Sequence, residues 1–254
     1  MKEKKLAVLI DADNVPYAHV KEMLNEIAKY GNPTIKRIYA DWTKPTVSGW
    51  KNILLENAIT PIQQYSYTTG KNSSDSALII DAMDLLYSKK VDGFCIVSSD
   101  SDFTRLATRL REAAMFVIGI GEKKTPQPFI TACDKFIYIE ILKKAKEADS
   151  DGKSTKSKNS KNDAELDADT TSVSKIDKNL IKLIKESIDD VSDENGWAFL
   201  GTLGNYIIKK KTDFDPRNYG FPKLFPLIKK INKFEIEEKV TGENNIRHIY
   251  IKNK

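Results

Sequence analysis

The sequence predicts an α/β fold, a three-layer sandwich on a mostly parallel sheet, followed by a small, mainly helical second domain that ends in a β-hairpin. Three observations predict it. Short apolar runs alternate with amphipathic helical patterns before residue 149, the signature of a parallel sheet covered by helices. The stretch DSDGKSTKSKNSKNDAELDADTTS at 149–172 carries almost no large apolar side chain, so it cannot offset the entropy of ordering and reads as a flexible linker. Beyond it the pattern changes to three helices and two terminal strands, with no repeat of the first half. A chain of 254 residues suits two such domains, expected at 1–148 and 173–254 around the linker at 149–172.

The strand candidates of the first domain are Leu6–Ile10, Ile35–Ala40, Ile59–Gln63, Phe94–Val97, Met115–Ile120 and Phe136–Ile141. The first, fourth and fifth are almost unbroken in their apolar character, as strands buried on both faces should be. Helical patterns fill the intervals at about 17–29, 47–57, 74–89 and 102–113, and right-handed crossovers then cover both faces of the sheet. After the linker, 175–190 reads as a helix with Leu180, Ile181, Ile184 and Ile188 on one face. A second helix spans about 199–210, and a third, 222–231, turns Leu224, Leu227, Ile228 and Ile231 inward. Phe234 and Ile236, then Thr241-Gly242 and Ile246–Ile251, read as a hairpin, which makes a winged helix-turn-helix the expected architecture.

Composition excludes several function classes. With 40% hydrophobic and 30% charged residues and no apolar run near the roughly 18 residues of a membrane span, the chain reads as a soluble globular protein. Met1-Lys2-Glu3-Lys4-Lys5 is basic, but the apolar run behind it stops at Asp11, a poor secretion signal, so the expected location is cytoplasmic. Cys95 and Cys133 show neither CxxC spacing nor further partners for zinc, and read as reduced packing residues. His19 and His248 are the only histidines, which leaves a histidine metal cage or a Ser-His-Asp site hard to assemble. Catalysis, if present, rests on carboxylates. The net charge of +5, with a mild positive excess on both sides of the linker, suits a polyanionic partner and equally suits plain solubility.

The acidic residues have a pattern. Asp11 follows Leu6–Ile10 and stands at the carboxyl end of a strand, where open parallel sheets place their ligand sites. Asp100 and Asp102 follow Phe94–Ser99 in the same way. In the helix that starts near Ser74, at about 100° per residue, Asp75 shares the direction of Leu78, Ile79, Ala82, Leu85 and Leu86, so its carboxylate points over the same edge. Asp81 and Asp84 fall away from that direction and read as mainly solvent-facing, Asp81 being a candidate outer member. Carboxylates gathered at one edge repel one another unless a cation neutralises them, and hard oxygen ligands suit Mg²⁺ or Mn²⁺. The plainer reading of each aspartate alone is a turn former or helix cap.

Three motifs carry a resemblance. Leu9-Ile10-Asp11-Ala12-Asp13-Asn14-Val15-Pro16, then Lys71-Asn72-Ser73-Ser74-Asp75 with Ile80-Asp81-Ala82-Met83, and Ser98-Ser99-Asp100-Ser101-Asp102-Phe103 resemble the NYN domain family of PIN-like nucleases, over about residues 4–145. The resemblance implies a PIN-like sandwich, RNA cleavage and an acidic Mg²⁺ or Mn²⁺ site of Asp11, Asp75, Asp100 and Asp102. It further matches Asn14 and Lys71 to substrate-side positions. Asp13 stays without an assigned role. Tyr65 and Tyr67 beside Lys71 are candidates for stacking on unpaired bases or for edge packing, and Trp42 for a structural place. Downstream, Gly196-Trp197-Ala198, Leu200-Gly201-Thr202-Leu203-Gly204 and Phe214–Phe221 resemble the LOTUS, or OST-HTH, domain, over about 175–252. That likeness implies RNA binding or protein docking. Lys209, Lys210, Lys211, Arg217 and Lys223 could contact a phosphate backbone, or simply complement a helix end. Trp197, Tyr219 and Phe221 read as core.

The leading expectation is a metal-dependent endoribonuclease acting on single-stranded RNA, with a C-terminal module that binds RNA or a protein and with self-association left open. Two alternatives stand beside it. One is a non-catalytic RNA-binding adaptor. The other is a haloacid dehalogenase-like phosphatase with Asp11 as nucleophile and Asp13 as acid, which the motif at Asp11 also resembles.

Overall fold

The computed structural model describes residues 3–65, 73–142, 174–241 and 246–254. The chain forms two compact units, 1–168 and 169–254. The expected linker at 149–172, together with Lys71 and Tyr67, lies outside the described residues.

In the first unit, β1 (Lys5–Asp11), β2 (Asn32–Ala40), β3 (Thr60–Gln63), β4 (Gly93–Val97), β5 (Phe116–Gly121) and β6 (Lys135–Tyr138) form one sheet in the order β3-β2-β1-β4-β5-β6. Every pairing is parallel. Successive side chains of a strand point to opposite faces, so β1 feeds two cores at once. Leu6, Val8 and Ile10 pack with α1 (Val20–Ile27) and α2 (Trp50–Asn57), through Met23, Ile27, Trp50 and Leu54. Ala7 and Leu9 pack on the other face with α3 (Ser73–Ser88), α4 (Thr104–Glu112) and α5 (Gln127–Ala132), through Leu78, Leu106, Leu110 and Phe129. Burial on both sides explains why β1 and β4 read as nearly continuous apolar runs.

The chain runs outward from β1 to β3, then returns to place β4 on the other side of β1. The order reverses between β1 and β4, and the carboxyl ends of the strands at such a reversal are the usual ligand position in open parallel sheets. Two expectations need correction. The last strand ends at Tyr138, and residues 139–142 are helical, with Ile139 and Leu142 three apart and both buried. Helix α5 has six residues, too short to show a helical period, and went unread.

The second unit contains α6 (Lys178–Val191), β7 (Ala198–Phe199), α7 (Leu200–Lys210), α8 (Leu224–Ile231), β8 (Phe234–Thr241) and β9 (Ile246–Asn253). Asp177 caps α6, its Oδ1 accepting from the Leu180 N–H at 2.8 Å. Leu180, Ile184, Ile188, Leu203, Ile207, Leu227 and Ile228 close the core with Phe234 and Ile251 of the hairpin. The hairpin is joined by β7, giving an antiparallel sheet in the order β7-β9-β8. Two residues gave no strand signal. Three helices with this small sheet are consistent with a winged helix-turn-helix, and the first unit is consistent with a PIN-like sandwich.

Candidate metal centre

Asp11 ends β1 with only 1% of its surface exposed. Its Oδ2 accepts from Asn14 Nδ2 at 2.7 Å and from Ser98 Oγ at 2.8 Å, and its Oδ1 accepts from the Asp13 N–H at 3.1 Å. Burial raises its pKa above the ordinary carboxylate value, and the bonds from Asn14, Ser98 and Asp13 oppose that rise.

Past the end of β4, Ser98 continues the ladder by donating its N–H to Ile120 at 3.0 Å. The Asp100 N–H donates to Ser98 Oγ at 3.1 Å, and Asp100 Oδ1 accepts from the Asp102 N–H at 2.9 Å, capping the short 3₁₀ turn Ser101–Phe103. Asp100 is therefore a turn former as well as a site candidate. Asp75, 8% exposed, lies in the first turn of α3, whose buried face carries Leu78, Ala82 and Leu85.

One oxygen from each of Asp75, Asp100 and Asp102 lies within 4.8 Å of the other two. Burial pushes the Asp75 carboxyl up to about 6, with further increments from Asp11, Asp100, Asp102 and Asp13 in that order. Three carboxylates so close repel one another, and an all-oxygen donor set fits a hard divalent cation. Asp75, Asp100 and Asp102 are the residues that would hold it.

The sequence reading expected four carboxylates together, and three gather. Asp11 is outside that group but borders it: Asn14 and Ser98 donate to its Oδ2, and among the neighbouring charges it acts most strongly on Asp75. Asn14, expected on the substrate side, spends its amide on Asp11. Ser98, which sequence reasoning passed over, holds Asp11 and Asp100 together. Exposed Asp13 also borders the site, with Ser74 Oγ donating to its Oδ2 at 3.4 Å. Asp81 is not solvent-facing. It binds the Arg37 guanidinium and accepts from the fully buried Tyr39 hydroxyl. Asp84 is exposed, as expected. Trp42 is structural, its Nε1 donating to the Ile62 carbonyl at 2.9 Å. Tyr65 is exposed.

Residues 5–140 match the NYN domain, more than half of the chain. The chain belongs to the NYN domain family. Residues 171–246 match the OST-HTH/LOTUS domain, so the second unit pairs that domain with the NYN unit. Among solved structures, a Vibrio parahaemolyticus protein described as of unknown function is similar at 22% identity over 55% of this chain and 96% of that one, with a TM-score of 0.46. An uncharacterized Nitrosomonas europaea protein shares 28% identity over 39% of this chain and 92% of its own, with a TM-score of 0.30. Residues 175–257 of a Chromobacterium violaceum protein share 29% over 32% and 87%, with a TM-score of 0.26. The comparison with curated proteins found no match.

In the LOTUS unit the expected phosphate contacts divide. Lys209, Lys211 and Lys223 are exposed. Lys210 is paired with Asp190, and Arg217 with Asp215 at 2.7 and 3.0 Å, so those two cations have partners inside the unit. Tyr219 and Phe221 pack on the core, while Trp197 lies 5.8 Å from the Lys252 ammonium. Cys95 and Cys133 are both free and buried, and burial pushes both thiols above their ordinary pKa. No described helix is long and apolar enough to cross a membrane.

Proposed function

We propose that the NYN unit is a metal-dependent endoribonuclease for single-stranded RNA, and that the LOTUS unit binds RNA or a docking protein. The observation that carries this reading is the convergence of Asp75, Asp100 and Asp102 beside the buried Asp11, at the switch point of an NYN sheet. Asp75, Asp100 and Asp102 would hold Mg²⁺ or Mn²⁺. When bound, such an ion makes water a stronger nucleophile and offsets charge on the phosphoryl oxygens and leaving alkoxide. The Asp102 N–H fixes one Asp100 oxygen, and the Asn14 and Ser98 donors fix Asp11, so its charge adds to the field that draws a cation to Asp75. Lys71 and, on the LOTUS unit, Lys209, Lys211 and Lys223 are proposed phosphate contacts.

The test is cleavage of an end-labelled single-stranded RNA by the purified full chain with Mg²⁺ or Mn²⁺, against an Asp11→Asn, Asp100→Asn double variant. Cleavage should need the divalent ion and fall on the order of 100-fold or more in the variant. Equal residual cleavage by both proteins would mean that the site is wrongly assigned. Tight binding without turnover in either metal would favour the adaptor reading. The phosphatase reading is set aside because residues 5–140 match the NYN domain.

A further inference from the structure

Helix α4 begins at the acidic centre and leads away from it. Asp102 lies in the 3₁₀ turn Ser101–Phe103, which runs directly into α4 at Thr104. At about 100° per residue, Asp102, Arg105, Arg109 and Glu112 fall within about 80° of one another, a row apart from the buried Leu106, Ala107 and Leu110. Arg105 is exposed and Arg109 half-buried. Neither guanidinium has an ion pair, hydrogen bond or ring contact among the described residues, although Asp102 and Glu112 stand at the two ends of the row. By contrast Arg111, on the other side of α4, is held by Asp134 at 2.9 Å, and Lys124, past the end of β5, by Glu122 at 2.6 Å.

The helix accounts for one of the two arginines. Arg109 sits in the last turn, where a cation complements the helix dipole. Arg105 sits in the first turn, where the dipole favours an anion and opposes a cation. Neither packing nor helix stability therefore explains Arg105. An anionic ligand lying against the start of α4 does. Residues three or four apart on a helix are neighbours, with about 5–6 Å between Cβ atoms, so Arg105 adjoins Asp102 and Arg109 follows one turn on. The guanidinium fork matches the oxygens of a phosphate, and two forks on successive turns match successive phosphates of an extended strand. We propose that Arg105 and Arg109 hold two backbone phosphates of single-stranded RNA to one side of the bond that lies at the acidic centre, so that the strand runs along α4. The proposal rests on the ribonuclease reading for its substrate, but its test measures binding without turnover.

The test uses the full chain in chelator with a fluorescein-labelled single-stranded RNA, its anisotropy followed against salt. An Arg105→Ala, Arg109→Ala variant should bind about tenfold more weakly at low salt and lose about 1.4 from the salt slope, roughly 0.7 for each phosphate released. Lysine at both positions should restore the slope, since a point charge still meets a phosphate, with an affinity short of the wild type. A Lys89→Gln, Lys90→Gln variant loses the same charge at exposed positions between α3 and β4, the opposite edge of the sheet, and should keep the wild-type slope. A slope unchanged in the alanine variant, or lowered equally in the glutamine variant, would overturn the proposal. Arg105→Ala alone should weaken binding without lowering the melting temperature, because it takes a cation from the first turn and puts the best helix former there. A melting temperature that fell together with the affinity would assign Arg105 to the stability of α4 and overturn it. So would poly-glutamate that bound the wild type as the RNA does and lost its binding equally in the alanine variant, since the row would then take any polyanion, an acidic protein included. Arginine-dependent RNA binding without cleavage in either metal would sink the nuclease reading and leave these contacts standing. Metal-dependent cleavage with an unchanged slope would do the reverse.

Discussion

Asp75 keeps its proton to about pH 6 because burial and four neighbouring aspartates oppose its ionisation. The consequence for stability has a definite sign. A carboxyl whose folded pKa lies above its unfolded value of 3.8 favours the folded state most below about pH 4, and that contribution is lost as pH rises through 6. Asp75→Asn should therefore raise the melting temperature of the NYN unit at pH 7 in chelator, with a smaller gain at pH 5. Mn²⁺ at pH 7 should stabilise the wild type more than the variant, because a ligand of the folded state stabilises only where its site is intact. Melting followed by circular dichroism at the two pH values checks this, and a variant less stable than the wild type at pH 7 would contradict it. Gly121 sets a second limit. A Cβ there would come within 2.6 Å of the Ser98 carbonyl oxygen and 2.7 Å of Thr125 Oγ1. Gly121→Ala should cost about 1–3 kcal/mol in denaturant unfolding and weaken Mn²⁺ binding, since Ser98 braces Asp11.

Helix α3 carries Asp75 and is tied to β2 by Asp81, which engages Arg37 and Tyr39 together. That tie sets the rotation of the helix, and with it the direction of Asp75. Asp81→Ala should lower stability by about 1–3 kcal/mol, as loss of hydrogen bonds to a charged group does, and should weaken Mn²⁺ binding though Asp81 lies outside the cluster. Isothermal titration and urea unfolding measure the two effects, and unchanged metal affinity would show that α3 is held by packing alone. The same helix shows where sequence reasoning stops. Helical phase was enough to aim Asp75, and strand-end position was enough for Asp11 and Asp100, because both follow from local periodicity. Asp81 has the phase of a solvent-facing residue, and only the placement of β2 beside α3 gives it partners. The bond from Ser98 to Asp11, which crosses from the end of β4 to β1, depends on strand pairing and not on local periodicity. The core strands were legible because burial on both faces leaves a continuous apolar run, whereas β7 owes its existence to β9.

At the scale of the molecule, each core draws its residues from one unit only. Calorimetry of the full chain should therefore show two unfolding transitions. Of these, Mn²⁺ should raise only the one that belongs to the NYN unit. A single transition that moves as a whole with the metal would mean that the units are energetically coupled. The basic groups of the LOTUS unit bear on RNA affinity in a graded way. With Lys210 and Arg217 engaged by Asp190 and Asp215, replacing Lys209 and Lys223 by Ala should reduce the salt dependence of RNA binding more than replacing Lys210 and Arg217. The opposite order, measured by anisotropy against salt, would place the nucleic acid on the paired cations.

The strand order also sets when the acidic site can exist. β1 is made first but pairs with β4, whose residues lie more than eighty positions later, and Asp75, Asp100 and Asp102 all come after β3. A ribosome-bound chain that has released only β1, β2 and β3 holds Asp11 without the residues that surround it. Ser98 and Asp100 follow β4 directly, so the pairing of β4 with β1 is what brings them to Asp11. A chain stalled or cut short before that point would carry the first aspartate of the site without the carboxylates that gather beside it.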